Sequence, residues 1–240
     1  MKIDGHHHFW KYDPINYAWI DDSMKMIQRD FMPKDLKPIL NKNGIDGTVL
    51  VQVNQMEAEN EAFLKLAEEN DFIKGVVGWV DFKSDSLDTW LKHYSKTPKM
   101  KGFRHIVQGE ADDFLLDEQF TNGVKKLAEY PYTFDILIFE RQLPAALDFV
   151  KQLPENKLII DHIAKPDIKN KSFDDWASYM EAIAYHQNVY VKVSGMVTEA
   201  DKNWQKEDFT IYLDHLLKCF GSKRIVYGSD WPVCLVTAKY

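Results

Sequence analysis

Cysteine is scarce in this chain: two in 240 residues, Cys219 and Cys234, with no CxxC spacing. That leaves nothing for a disulfide framework, and both thiols read as small buried hydrophobes in a reducing compartment. No stretch approaches the roughly 18 consecutive apolar residues of a membrane span. No apolar leader opens the chain, so the expectation is a cytoplasmic protein with no membrane partner. Positive charge is in deficit, with 30 Lys and Arg against 37 Asp and Glu and a net charge of −7. No basic stripe stands out to neutralise phosphates, which argues against nucleic acid as a partner. The GxSxG elbow, HExxH, the P-loop and GxGxxG are also missing, against serine hydrolase, zincin, kinase and dinucleotide chemistry.

What is present is a sizeable core and a regular alternation. Hydrophobic residues make up 45% of the chain and aromatics 13%, enough for a large domain. Runs rich in β-branched residues predict strands at Thr48–Asn54, Gly75–Asp81, Lys101–Val107, Thr133–Ile138, Lys157–His162, Val189–Ser194 and Arg224–Ser229. With an opening strand before the histidines, they number eight. Helical spacing falls between them at Glu57–Asn70, Asp117–Glu129, Leu143–Gln152, Phe173–His186 and Lys206–Phe220, with shorter pieces near Pro33–Asn43 and Ser86–Tyr94. Strands alternating with helices imply βαβ units and a parallel sheet, and eight of them imply a closed (β/α)8 barrel. The expectation is one barrel domain over residues 1–240 with an incomplete C-terminal end. Tyr240 follows the eighth strand so closely that the eighth helix is missing from the predicted set. A gap in the helical shell would then lie between the first and seventh helices, and a homo-oligomer could cover it.

The opening "MKIDGHHHFW" poses the first chemical question. Three histidines are too few for a purification tag, and tags rarely run into Phe9 and Trp10. On an extended backbone His6 and His8 share a face with Asp4 while His7 points away. The active site of a barrel lies at the C-terminal ends of its strands, so the polar residues there are the candidates. Strand two ends with Gln52 and Asn54 on one face, strand three with Trp79 and Asp81, and strand six with His162. Strand seven offers Lys192 and Ser194, and strand eight leads through Gly228 to Asp230. Strand five offers no obvious ligand at its end. On strand four Arg104 and His105 are adjacent, so one of them faces inward unless a bulge admits both.

These stretches resemble a known family. "DGHHHFW", "GFRH", "QLP", "DHIAKP" and "YGSDWP" together look like the amidohydrolase superfamily, in its amidohydrolase-related branch with sugar lactonases of the L-fuconolactonase and rhamnonolactonase type. The resemblance spans nearly the whole chain and implies a (β/α)8 barrel. It matches His6 and His8 to the family's strand-one pair, His162 to the strand-six histidine and Asp230 to the strand-eight aspartate. Such a set can hold one divalent ion, Zn or Mn, through His6, His8, His162 and Asp230. The absence of a strand-five histidine leaves a metal-independent site as the other expectation, with Asp230 as general base on water. The expected activity is hydrolysis of a sugar-derived lactone to its aldonic acid. Asp230, His162, Arg104 and His105 are the catalytic candidates, and Trp10, Gln52, Asn54, Lys192 and Trp231 are the substrate-binding candidates. A metal-dependent decarboxylase or hydratase of an unsaturated acid and a non-catalytic sugar-acid binding protein are the alternatives.

Overall fold

The computed structural model describes every residue from Met1 to Tyr240. Its strands are β1 (Ile3–His7), β2 (Gly47–Val51), β3 (Ile73–Gly78), β4 (Met100–Ile106), β5 (Thr133–Leu137), β6 (Lys157–Ile160), β7 (Val189–Val193) and β8 (Ile225–Tyr227). Each pairs in parallel with the next in chain order. The seven α-helices are α1 (Pro33–Asn43), α2 (Glu57–Glu69), α3 (Leu87–Tyr94), α4 (Glu118–Lys125), α5 (Leu143–Lys151), α6 (Asp174–Ala184) and α7 (Glu207–Phe220). This is the (β/α)8 barrel expected from the strand count. A short 3-10 turn, Val233–Val236, follows β8, and no eighth α-helix is present up to Tyr240, as expected. No helix is long and apolar enough to cross a membrane.

Local chemistry explains how the helices start and stop. Proline opens α1, where its missing N–H costs nothing, and the Asp35 carboxylate reaches back to accept from the Met32 N–H at 2.9 Å. Gly44 ends that helix in the left-handed conformation at φ 65°, which only glycine adopts at little cost. The apolar faces of the helices cover the strands. Phe63, Leu91, Phe149, Trp176, Met180 and Leu216 are all buried in that layer.

Closure between β8 and β1 bears directly on the candidate residues. The His8 N–H donates to the Trp231 carbonyl at 2.7 Å, and the Asp230 N–H donates to the His6 carbonyl at 2.8 Å. Gly228 permits this approach, since a Cβ there would stand 2.6 Å from the Cβ of His6. The Asp4 carboxylate clasps the same seam. It accepts from the Ser229 N–H at 2.8 Å, the Ser229 hydroxyl at 2.6 Å and the Tyr240 hydroxyl at 3.0 Å. Asp4 thus joins the barrel's two ends and does not join His6 and His8 in the site.

Candidate active site

The strand ends deliver His6, His8, His162 and Asp230 to one point at the barrel mouth. Asp230 Oδ1 lies 3.4 Å from His8 Nε2, 3.8 Å from His6 Nε2 and 4.0 Å from His162 Nε2. All four residues are buried. Two of them sit on unusual backbone. Asp230 has φ 56°, and the run His162–Lys165 stays left-handed through four successive non-glycine residues, at φ 51°, 51°, 60° and 46°. Such a conformation costs roughly 1–2 kcal/mol per residue and gathers where function requires it. Trp176 holds the turn by donating its indole N–H to the Ile163 carbonyl at 2.7 Å. Gly195 makes room beside it, because a Cβ there would come within 2.6 Å of His162 Nδ1. The Ser194 hydroxyl lies 2.9 Å from the same nitrogen, which leaves Nε2 facing Asp230.

Beneath the mouth lies a layer of buried ionic groups. Arg104 donates from Nη1 to Asp161 Oδ2 at 3.0 Å, and from Nη2 to the Gln52 carbonyl at 2.5 Å and Gln52 Oε1 at 2.9 Å. Lys192 pairs with Asp135 and, at 3.0 Å, with Asp161. Burial opposes the charge on Lys192, but the Asp135 and Asp161 carboxylates outweigh it and raise its pKa. Burial likewise pushes Asp161 up, and Lys192, His6 and Arg104 overcome it and hold the carboxyl well below its ordinary range. At Asp135 burial wins, and its carboxyl is raised above its ordinary value despite the Lys192 ammonium beside it.

Hydrogen-bond logic orients the two strand-one imidazoles. His8 Nδ1 lies 2.9 Å from the Val51 carbonyl and must carry its proton there, so His8 Nε2 offers a lone pair to the site. His6 Nε2 lies 3.2 Å from that lone pair and would donate to it, with His6 Nδ1 accepting from Lys192 Nζ at 3.2 Å. Arg104 Nη1, a donor only, lies 3.3 Å from His6 Nε2 and favours the reverse. Asp161 Oδ1, 3.6 Å from His6 Nδ1, supports the opposite tautomer. Burial keeps His6 neutral well below its usual pKa, and it takes His162 down to about 4 against the pull of Asp230 and Asp161. Burial raises the Asp230 carboxyl, but His162, His8 and His6 outweigh it and leave Asp230 far on the ionised side. At neutral pH the Asp230 carboxylate therefore stands beside the neutral imidazoles of His6 and His162.

The donor set fits one divalent ion. The ligand atoms of His6, His8 and Asp230 all lie within 4.8 Å of one another, and so do those of His6, Asp161 and His162. His8 already presents its Nε2 lone pair, and His6 can do so by passing its proton to the Nδ1 side that faces Asp161.

A cavity of about 200 Å³ opens over this point, lined by His8, Arg104, His162 and Asp230 with Trp19, Val53, Ile106, Gln108, Leu137, Lys165 and Val233. It is smaller than the roughly 300–1,000 Å³ of pockets for drug-sized ligands, and so suits a single small ring. Strand β4 keeps a regular register with β5 from Gly102 through Ile106, so no bulge forms and only Arg104 turns inward. His105 is accordingly outside the cavity. Its ring stacks on Phe114, takes the Trp79 indole N–H at 3.2 Å and meets Glu110 Oε1 at 3.1 Å. Trp10 is turned away as well, with its indole N–H on the Arg29 carbonyl at 2.9 Å. Trp10 and Asn54 line a separate cavity beside α2. Trp231 packs edge-on against Phe31 and Phe9, while Gln52 and Lys192 belong to the ionic layer under the mouth. Sequence reasoning passed over Asp135 and Asp161 in that layer, and Trp19, Gln108 and Lys165 on the cavity wall. Asp161 sits inside the quoted "DHIAKP", which was a signal. Trp19 and Gln108 lie in loops and gave none.

A parallel barrel that gathers His6, His8, His162 and Asp230 at one point of its mouth, beside a cavity lined by the last three, has the architecture of a barrel hydrolase. The chain belongs to the amidohydrolase family, whose profile (Amidohydro_2) matches residues 3–240. It is 35% identical over 254 residues to an L-fucono-1,5-lactonase of Burkholderia multivorans, covering 100% of this chain and 85% of that one. An L-rhamnono-gamma-lactonase of Scheffersomyces stipitis is 28% identical over 160 residues, 58% of this chain and 47% of the relative. A zinc-bound crystal structure of an amidohydrolase from Burkholderia multivorans superposes with a TM-score of 0.95 at 35% identity, covering 100% of this chain and 87% of that chain.

Proposed function

We propose that this enzyme opens a sugar-derived lactone to its aldonic acid. The observation that carries the reading is the ionised Asp230 carboxylate, held 3.4 Å from His8 Nε2 in a cavity sized for one small ring. The lactonase relatives support the substrate class.

In this reading Asp230 takes a proton from a water molecule as the water oxygen attacks the ring carbonyl. The carbonyl oxygen gains negative charge, and the Arg104 guanidinium at the cavity floor lies ready to stabilise it with no reorganisation. His162 Nε2 faces the same space. The C–O bond to the ring oxygen then breaks, and Asp230 returns the proton to that oxygen. The apolar residues Val53, Ile106, Leu137 and Val233 keep bulk water from the acyl carbon. A divalent ion held by His6, His8 and Asp230 would supply Lewis-acid polarisation and a more acidic water.

Asp230→Asn keeps the size of the group and removes the base. With L-fucono-1,5-lactone as substrate, kcat should fall at least about 10²-fold, the scale of a general acid–base contribution. KM should change much less, and the melting temperature should hold. A folded Asn variant that turns over at the parent rate removes Asp230 from the mechanism. Release of CO2 from an unsaturated acid, with no lactone opened, replaces the reading with a decarboxylase.

A further inference from the structure

The polar side chains at the cavity floor are held in place by bonds to the protein. Arg104 spends its guanidinium on Gln52 and Asp161, His8 is bonded to Val51 and His6, and His162 is bonded to Ser194. On the wall, Lys165 is paired with Glu199 at 3.2 Å. Gln108 differs. Its carboxamide takes part in no hydrogen bond with the protein, and its Oε1 is buried without a partner. An amide oxygen left so is destabilising, a cost relieved when a ligand or water supplies the missing donor.

Nothing about Gln108 suggests a side chain that merely drifts over a loose loop. Its backbone lies in the 3-10 turn Val107–Gly109 directly after β4, and three side chains fasten that turn from outside the cavity. Gln55 Oε1 accepts the Ile106 N–H at 2.7 Å. Gln142 donates to the Val107 carbonyl at 2.9 Å, and Arg141 donates to the Gln108 carbonyl at 3.3 Å. The main chain is fixed while the amide is left free. Apart from Lys165, the wall around it is apolar, built from Val53, Ile106, Leu137 and Val233. A ring whose carbonyl meets Asp230 and Arg104 at the floor can satisfy hydroxyls on its far side at few places here.

We infer that Gln108 is the specificity-determining residue of the cavity wall, pairing its amide N–H and C=O with neighbouring hydroxyls of a polyhydroxylated lactone. A carboxamide is suited to this because it donates and accepts side by side, as a vicinal diol does. The inference deepens the lactonase reading and rests on it. It places the cost of an unpaired amide on rings that lack hydroxyls, so discrimination comes from the wall while the chemistry at the floor is common to all lactones.

The test crosses two residues with two rings. Gln108→Leu removes the amide at similar size, and Gln108→Asn keeps the amide but shortens its reach. Each is compared with the parent on L-fucono-1,5-lactone and on δ-valerolactone, which has no hydroxyls. For Gln108→Leu, kcat/KM on the hydroxylated lactone should fall roughly 10-fold or more, chiefly through KM, the scale of one or two lost hydrogen bonds. On δ-valerolactone it should stay within about 2-fold of the parent, or rise, since no amide is left unpaired. Gln108→Asn should fall between, with all three proteins melting alike. Equal loss on both rings, or loss on neither, overturns the inference. Calorimetric titration with L-fuconate separates this result from failure of the lactonase reading. If the parent opens no lactone yet binds the polyhydroxy acid, Gln108→Leu should still weaken binding about 10-fold, and unchanged binding, or no binding to the parent, overturns the inference.

Discussion

The ionic layer under the barrel mouth and the wall of the cavity above it are built on opposite rules. In the layer, Arg104, Asp135, Asp161 and Lys192 are buried and answer one another across strands β4 to β7. On the wall, Gln108 answers to nothing in the protein, and Trp19 stands 41% exposed at the rim. The charges of the layer are paired within the protein, whereas the wall leaves the Gln108 carboxamide unpaired. Stability should therefore depend on the first and selectivity on the second.

The sharpest way to break this comparison is Lys192→Met. It removes the cation between Asp135 and Asp161 and leaves two carboxylates facing each other in the barrel interior. Losing one partner of a buried pair costs about 3–5 kcal/mol. Urea unfolding should show an unfolding free energy lowered by that amount, and a loss under about 1 kcal/mol would mean that the layer does not hold the barrel together.

Acid gives a smaller effect with a definite sign. His7, behind the layer, is buried with Nε2 2.9 Å from the Thr48 hydroxyl, and burial takes its pKa from 6.5 down to about 3. A folded pKa below the unfolded one means that stability is fully present above pH 6.5 and is lost as pH falls from there toward 3. Over that window His7→Gln should flatten the fall in stability by up to about 1.4 kcal/mol per pH unit, one proton's worth. Parallel slopes in the two proteins would show that His7 does not titrate between the folded and unfolded states.

The smallest expected change in stability is at the rim. Trp19→Ala should alter unfolding by no more than about 0.5 kcal/mol, as surface substitutions do. It should still lower kcat/KM for the hydroxylated lactone, because an aromatic face over the ring is lost. A variant that loses stability and keeps its kinetics would reverse the roles of layer and rim.

The order of the eight strands could be read from the alternation of β-branched runs with helical spacing, the shared face of His6 and His8 from period-2 parity, and the place of His162 and Asp230 from the family motifs that carry them. The predicted strands ran too far. Lys157–His162 ends as a strand at Ile160, and Arg224–Ser229 shrinks to Ile225–Tyr227. In both places the chain curls out of the ladder to aim a side chain, a departure that hydrophobic pattern does not encode. Strand five has no ligand at its end, and its ionic residue, Asp135, lies mid-strand beneath the mouth. Its partner Lys192 is 57 residues away, and pairing across such a separation leaves no local mark. The substrate candidates Trp10 and Trp231 were chosen for adjacency to motifs, yet adjacency along a strand sends neighbours to opposite faces.

The left-handed run from His162 to Lys165 bears on how the protein can change. Glycine would take each of those four backbone positions at lower conformational cost, yet the chain keeps His, Ile, Ala and Lys there. Ile163 and Ala164 are buried against the core, whereas His162 and Lys165 look into the cavity. A lineage, or a laboratory library, favoured only for heat resistance would gain by relaxing this turn. The substitutions that relax it at His162 and Lys165 also delete groups facing the cavity. At this one turn, robustness and activity draw on the same few residues, and the sequence records which of the two prevailed.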